Sequence, residues 1–499
     1  MRKQVFNPFL PLNEYIPDGE PHVFENRVYL YGSHDKEAGD TFCMKDYCVY
    51  SASITDLKNW KYEGISYEAK NDPNFKERPY MYAPDCVKGN DGLYYLYYAM
   101  SGYRGVGGYF GPISVAVSNK PYGPFKFIGF VKHSDGSLML DYVPFDPAVM
   151  NDNGVIRLYY GTQYDYEENL EEFLKNDELI TLEANMFGKT KEEIIEYAKR
   201  DSVNGAVMAI LEDDMITVKE KPKHIIPYNT KGTSFEAHPF FEGSSIRKFN
   251  NKYYFIYSSK QNHELCYAIS DYPDKDFKFM GTLVSNGDIG LNRRKEENRL
   301  NMTGTTHGSV EYINGKYYIF YHRLTHKSDY SRQACAEEIK MNKDGTFNQV
   351  EITSCGLNGK ALEAKGKYSA CIACNITNGK MPHGSNKIFT EHFPNVNNEK
   401  ELRFISEITD KTLIGFKYFD FDHNKKLKIT YRGLAHGYLN ISNDLPDKFI
   451  KKVKINPYSD FTTITIDINF ADGTRPLYLY FAFRTCFCVM WLPFLSVNL

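Results

Sequence analysis

The sequence predicts an all-β chain: a five-bladed β-propeller with a short helical insertion, followed by a β-sandwich. Three observations carry this. A turn followed by an aromatic-rich strand recurs five times along the 499 residues. An ionisable residue precedes each recurrence at nearly constant distance. Aromatic residues make up 15% of the chain, with 40 Tyr and 34 Phe, which suits twisted antiparallel sheet.

The recurring phrases occupy residues 25–32, 91–98, 153–160, 251–257 and 314–321, with runs such as Tyr94-Tyr95-Leu96-Tyr97-Tyr98. A fixed repeat of one hairpin unit is how a propeller shows itself in sequence. Counting back from Gly32, Tyr98, Tyr160, Tyr257 and Tyr321 gives Asp18 (14 residues), Asp85 (13), Asp146 (14), Glu242 (15) and His307 (14). Equivalent positions of successive blades converge on one axis. Four carboxylates and a histidine are therefore expected around one central depression.

Most phrases start a little over sixty residues apart, room for four strands and generous loops. The third gap is wider, and its excess, residues 167–200, is rich in Glu, Leu and Lys. Thr190-Lys191-Glu192-Glu193 reads as a capping box ahead of apolar Ile194, Ile195, Tyr197 and Ala198. The expectation is a helical excursion on the surface, tolerated there or set at the rim of the site.

The repeats end near residue 350, which assigns 1–350 to the propeller. A Gly-rich stretch, 351–367, reads as a linker. From 368 to 499, strand-like runs alternate with turns at 413–421, 427–431, 438–441, 463–468 and 477–483, as expected of a β-sandwich of ordinary domain size.

A net charge of −3 shows no basic excess, so nucleic acid is not an expected partner. No apolar run is long enough to span a bilayer, so neither is a membrane, and the start lacks the apolar core of a secretory signal. The apolar end is expected to be a buried strand. The ten cysteines are scattered apart from Cys371-x-x-Cys374 and Cys486-x-Cys488. A lone C-x-x-C is a weak zinc signal, and buried free thiols in a reducing compartment is the reading preferred. Both features point to the cytoplasm.

Glycoside cleavage needs a proton donor for the leaving oxygen and a second carboxylate that activates water or attacks the sugar. A third acid raises the donor's pKa by repulsion. Asp18, Asp146 and Glu242, on separate blades, could supply all three roles. One such acid alone would be expected merely to cap backbone amides. Several in matched register at a funnel favour function.

At this point the residues resemble glycoside hydrolase family 43, five-bladed propeller enzymes that invert the anomeric carbon. The matching stretches are Ile16-Pro17-Asp18-Gly19-Glu20-Pro21-His22-Val23-Phe24, Tyr82-Ala83-Pro84-Asp85, Phe145-Asp146-Pro147-Ala148-Val149, Phe241-Glu242-Gly243-Ser244-Ser245-Ile246-Arg247-Lys248 and His307-Gly308-Ser309-Val310. They occur in family order over about residues 6–350. The resemblance implies Asp18 as general base, Asp146 as the residue that tunes pKa and orients substrate, and Glu242 as general acid. It places His307 on the axis beside a water-rich calcium. The family's first motif reads Asp-Pro, so aligning on Pro21 would make Glu20 the base; the repeat register favours Asp18.

Candidate substrate-binding residues are Asp85, which the resemblance ranks as structural first, Phe42 and Tyr103 as stacking platforms, and Arg323. His307 is the candidate metal residue. The alternatives are a structural Ca²⁺ with mostly water ligands or a histidine bonded between blades with no metal. No cofactor is required for the chemistry. The carboxy-terminal region resembles a family 6 carbohydrate-binding module through Gly415-Phe416-Lys417-Tyr418-Phe419, Tyr431-Arg432-Gly433 and 473–479, with Phe461 where tryptophan is frequent.

Asn71-Asp72-Pro73-Asn74 resembles the nucleophile motif of retaining sucrose- and fructan-cleaving propellers, but it lies outside the acid register. The sequence thus points to an inverting, exo-acting glycosidase on plant cell-wall oligosaccharides, an α-L-arabinofuranosidase or β-xylosidase. A β-galactofuranosidase and a non-catalytic carbohydrate-binding propeller are the alternatives.

Overall fold

Each aromatic phrase forms the second strand of its own antiparallel sheet in a computed structural model that describes residues 3–103, 111–163, 170–187, 189–199, 205–227, 229–384, 386–483 and 490–498. Blade one comprises Glu20–Phe24, Arg27–Tyr31, Tyr47–Ser53 and Asp56–Tyr67. Blade two comprises Asp85–Lys88, Tyr94–Tyr98, Ser114–Ser118 and Lys126–Phe130. Blade three follows with Ala148–Asp152, Val155–Tyr160, Val207–Leu211 and Lys223–His224, and blade four with Phe240–Phe249, Lys252–Ser259, Glu264–Ser270 and Lys278–Ser285. The first strands of successive blades touch in order, and that of blade five, Ser309–Ile313, returns to that of blade one. The ring is closed.

The first hairpins form because their turns suit the sheet twist. Asn153-Gly154 and Asn314-Gly315 have φ of 53° and 93°, and 47° and 86°. These are the positive values that Asn-Gly tolerates and a twisted two-residue hairpin requires. Aromatic and aliphatic side chains then pack between blades. Tyr97, Val115, Leu158 and Tyr160 join blades two and three, and Tyr159, Phe240, Phe255 and Tyr257 join three and four.

Blade five departs from the expected four strands. It has three, Ser309–Ile313, Lys316–Thr325 and Ser328–Ile339. The start of the chain lies along its outer edge: the Phe9 amide donates to Ala334 O at 3.2 Å, and Asn7 bonds Ala336 N and O at 3.1 and 3.0 Å. Val5 and Phe9 join the apolar cluster between blades five and one. Short repeat units cannot carry this information, because the edge is completed from some 330 residues away.

The insertion forms helices Leu170–Phe173, Asp177–Phe187 and Lys191–Ala198 between two strands of blade three. Its capping box is reciprocal: Glu193 accepts the Thr190 amide at 2.8 Å, and Thr190 Oγ1 accepts the Glu193 amide at 3.2 Å. Phe173, Ile180 and Ile194 pack against Phe42, Tyr82 and Phe145. Those last three residues wall the central pocket, so the insertion buttresses the rim rather than lying idle on the surface.

Apart from a two-stranded ribbon, Tyr80–Met81 with Met100–Ser101, the remaining strands form a sandwich of two six-stranded sheets. One is built around Leu413–Phe421 and Gly473–Phe483, the other around Lys426–Gly433 and Met490–Asn498, with Phe416, Phe419, Leu479, Phe481, Ile429 and Leu492 between them. The stretch expected as a linker carries a short 3-10 turn, Gly356–Asn358, and a sandwich strand, Leu362–Glu363. Lys417, buried on the sandwich side, bridges Asp288 at 3.2 Å and Glu351 at 2.8 Å. Among the described residues no helix is long and apolar enough to cross a membrane. Eight cysteines are described and all are free, seven of them buried; Cys486 and Cys488 lie outside the described residues.

Candidate active site

Three of the five register residues stand two positions ahead of the first strand of their blade. Asp18 precedes Glu20–Phe24, Asp146 precedes Ala148–Asp152, and His307 precedes Ser309–Ile313. At Asp18 and Asp146 the backbone turns left-handed, with φ of 57° and 47°. Non-glycine residues adopt this region uncommonly, Asp among the more tolerant, and such strain gathers at functional sites. Glu242 lies inside the strand Phe240–Phe249, where the pairing slips on either side of it. Gly243 follows at φ +75°, packed so closely that a Cβ would lie 3.2 Å from His307 Cγ.

These turns deliver Asp18, Asp146, Glu242 and His307 to one pocket. Phe42 and Arg332 also line it. Asp18 and Asp146 are buried, 4% exposed each, while Glu242 is only partly covered.

The three acids differ electrostatically. Arg332 Nη1 donates to Asp18 Oδ1 at 2.9 Å, and Ser33 Oγ donates to Oδ2 at 2.6 Å. Burial pushes the Asp18 carboxyl up, but the guanidinium charge and the hydroxyl outweigh it and hold the pKa below the ordinary value. Among the described residues Glu242 has no such hydrogen-bond partner. Burial, then the nearby Asp18 charge, push it up to about 8. Burial and the charges of Glu242 and Asp18 also raise Asp146 well above the usual carboxylate range, against the Gly243 amide, which donates to its Oδ2 at 3.1 Å. Asp18 is thus held low while its two neighbours are pushed up, Glu242 to about 8.

His322 supports the ionised acid. Its Nε2–H donates to Thr305 O at 2.9 Å, which leaves Nδ1 to accept the Asp18 amide at 3.4 Å. Burial lowers its pKa to about 3, so the ring is neutral.

Below the pocket, the axis holds a second ionic group. Asp85, fully buried, accepts His22 Nε2 at 2.5 Å and the amides of Val149 and Cys86 at 2.7 Å each. It does not line the pocket, so the substrate-binding assignment gives way to a structural one. Unlike Asp18 and Asp146, Asp85 is the first residue of its strand, paired with Tyr97. Glu20 also lies outside the pocket lining, held by Arg247 Nη2 at 2.8 Å and Ser245 Oγ at 3.1 Å. Of the two residues weighed as the base, Asp18 is the one that lines the pocket.

His307 spans the two groups, with Nδ1 3.8 Å from Asp146 Oδ2 and Nε2 3.9 Å from Glu20 Oε1. Neither His307 Nε2 nor Glu20 Oε1 has a hydrogen-bond partner. Burial lowers the imidazole's pKa, leaving it neutral. The protein supplies few of the about 6–8 oxygens that calcium takes, so a calcium here would be held mostly by water, with Glu20, His22 and Asp85 as the nearest grouped ligand atoms. One carboxylate oxygen faces the ring, and the Arg247 guanidinium on the same carboxylate already supplies positive charge. The gap suits a small polar guest such as water.

Of the other expected binders, Phe42 lines the pocket, its ring edge-to-face with Tyr330 at 4.6 Å and 4.7 Å from the Arg332 guanidinium. Tyr103 stands 44% exposed outside the lining, its hydroxyl 3.3 Å from Asp40. Arg323 turns away toward the sandwich, donating to Gln333 at 2.9 and 3.2 Å and to the carbonyls of Cys371 at 2.5 Å and Ala373 at 3.0 Å. It is an interdomain tie. The arginine that reaches the site is Arg332, on the third strand of blade five. There it also grips Asp35 at 2.8 and 3.0 Å. The repeat singles out first and second strands only, so nothing in it pointed to position 332.

Asp72, of the motif resembling retaining enzymes, accepts Tyr98 and Ser114 hydroxyls at 2.8 Å each and stays outside the pocket. In the sandwich, Arg432 covers the ring of Phe461 at 4.5 Å.

A crystal structure of the GH43_1 enzyme from Xanthomonas citri is similar in fold, with 24% identity and a TM-score of 0.50, covering 70% of this chain and 94% of that one. A xylosidase/arabinosidase from Thermoclostridium stercorarium is 38% identical over 505 residues, 97% of each chain. A Bacteroides ovatus protein of the same description is 29% identical over 69% of this chain and 97% of its own. The family model of glycosyl hydrolases family 43 matches residues 7–194 and 186–347. With the acid triad in its pocket and a family match over most of its length, the chain belongs to glycosyl hydrolases family 43 and is a glycoside hydrolase.

Proposed function

We propose that the pocket removes a terminal pentosyl unit, β-xylosyl or α-L-arabinofuranosyl, from short plant cell-wall oligosaccharides, with inversion. The observation that carries this is the opposite tuning of two acids in one pocket. Asp18 is held ionised and Glu242, raised to about 8, is held protonated. Inversion needs that pair: a base to take a proton from water and an acid to protonate the leaving oxygen. Asp18 accepts the water proton as the water oxygen bonds to the anomeric carbon. The glycosidic bond breaks on the other face, and its oxygen leaves with the Glu242 proton. Asp146, whose carboxyl is pushed up by burial and by the neighbouring acids, lines the same pocket and can hydrogen-bond a sugar hydroxyl.

The pocket ends in buried acids, which suits a terminal sugar rather than a mid-chain one. The names of the T. stercorarium and B. ovatus relatives support the pentosyl class. The chemistry draws on carboxylates and water and asks for no cofactor. The free thiols favour a reducing compartment, the cytoplasm, where imported oligosaccharides would be the substrates.

The test is hydrolysis of nitrophenyl β-xyloside and α-L-arabinofuranoside, with the first-formed anomer read by NMR. The expected product is inverted, and Glu242→Gln and Asp18→Asn each lower kcat by about 10²–10⁴-fold. A retained anomer would overturn the mechanism, and Asp18→Asn with wild-type turnover would overturn the base.

A further inference from the structure

The pocket has one wall that does not come from the propeller. Asn386 lines it beside Thr305 and Arg332. This residue belongs to the segment 378–394, which leaves the sandwich after Asn375–Thr377 and re-enters it at Asn395–Glu399. These two strands lie in different sheets of the sandwich. The connection between them does not pass directly across; it runs out over blade five and back.

The strap is tied down on both sides of Asn386. Gly384 N donates to Thr303 O at 3.1 Å, and Thr303 N donates to Pro382 O at 3.1 Å. His383 Nδ1 meets Thr303 Oγ1 at 2.9 Å. Beyond it, Asp329 N donates to Lys387 O at 3.1 Å and Phe389 N to Lys327 O at 2.7 Å. The approach is close: a Cβ on Gly304 would sit 2.5 Å from Gly384 O, so no larger residue fits there without a shift. Met381, Phe389 and Phe393 of the strap are buried together with Met302.

Asp329 links the strap to the pocket wall. Its Oδ2 accepts the Asn386 amide at 2.8 Å, and its Oδ1 accepts the amide and hydroxyl of Thr305 at 3.0 Å each. The backbone of Asn386 is thereby held against the Thr305–His307 wall. Its side chain is exposed, whereas Asp18 and Asp146 at the floor are buried. Asn386 therefore sits at the mouth.

We propose that Asn386 is a specificity-determining residue: its amide hydrogen-bonds a hydroxyl of the leaving-group sugar, so that the sandwich completes the site for oligosaccharides. This rests on the exo-pentosidase reading. In a pocket that takes the terminal sugar at its floor, the sugar at the mouth is the one that departs. An uncharged amide suits a neutral hydroxyl, to which it can donate or accept. The strap lies beyond residue 347, outside the residues matched by the family model.

The experiment compares Asn386→Ala on xylobiose or arabinoxylo-oligosaccharides with the same variant on nitrophenyl pentosides, which lack a second sugar. The expected result is a loss of roughly tenfold in kcat/KM for oligosaccharides, carried by KM, and a change under about twofold for the aryl substrates. His383→Ala, which loosens the strap away from the pocket, should show a smaller loss of the same selectivity. Equal losses on both substrate classes, or no loss on oligosaccharides, would overturn the proposal. A wild-type enzyme inactive on every pentoside would instead overturn the reading beneath it.

Discussion

The acids of the pocket and the acids of the axis stand on or just ahead of the inner strands of the blades, yet they are put to different uses. Around Arg247, Glu20 receives the guanidinium at 2.8 Å and Glu311 lies at 3.4 Å, while Asp85 next to them is saturated by His22 and two amides. Burial raises Asp85, but His22 and Arg247 outweigh it and hold it low. This group is bonded inward and binds blades together. Around Arg332, the charge is shared unevenly. Asp18 and Asp35 take the guanidinium, and Glu242 is left to burial and repulsion. What separates the two groups is access to the pocket: Asp18, Asp146 and Glu242 line it, whereas Asp85 and Glu20 lie outside the lining, bonded to His22, Arg247 and backbone amides.

The comparison breaks most severely at its two arginines. Arg332→Met should cost about 3–5 kcal/mol, the penalty for leaving a buried carboxylate unpaired, and should move the acid limb of kcat/KM upward as Asp18 loses its counter-charge. Arg247→Met should cost a similar amount in thermal melts while the pH profile of the residual activity stays in place. Identical shifts of the acid limb in both variants would erase the distinction between the groups.

A smaller effect is expected from pH. Glu242 has an ordinary pKa of 4.5, raised in the folded chain to about 8. A raised folded-state value means its contribution to stability is complete below about 4.5 and is lost as pH rises through about 8. Glu242→Gln cannot ionise. Its stability should therefore gain on that of the wild type between pH 5 and 9, by roughly 1–3 kcal/mol after discounting for the part of the carboxyl open to solvent. Melts of the two proteins across that range check this, and parallel curves would mean that the pocket does not hold Glu242 protonated.

The smallest expected effect is that of a chelator. The His307–Glu20 gap offers one carboxylate oxygen beside a guanidinium, so EDTA should leave kcat and melting temperature unchanged. A drop in both, reversed by Ca²⁺, would place a cation where the charge balance around Arg247 argues against one.

Much of this was legible because a propeller repeats. Asn-Gly turns, tyrosine strands and the spacing back to Asp18, Asp146, Glu242 and His307 are local patterns, and each recurs in a context that differs little. Asp85 shows how fine the signal is. Its count is 13 where Asp18 and Asp146 count 14. That single residue places it inside the strand, without the left-handed turn that aims the other two at the pocket. Arg323 and Arg332 show the opposite limit. They lie on adjacent strands of one hairpin, Lys316–Thr325 and Ser328–Ile339. Which guanidinium enters the site depends on what each strand faces across the molecule, and no count along the chain contains that.

By itself, then, the sequence pointed to the ring, its five-fold repeat, the sandwich and the convergence of Asp18, Asp146 and Glu242 on one pocket, because all of these follow from turns and alternation over a few residues. The tertiary structure alone decided that the chain's start completes blade five, that Arg332 holds Asp18 ionised, that the helical insertion supports the pocket rim, and that a strap from the sandwich puts Asn386 at its mouth. Each of these joins residues tens to hundreds of positions apart. Such contacts are selected by shape, charge and burial in the folded molecule, and local periodicity does not encode them.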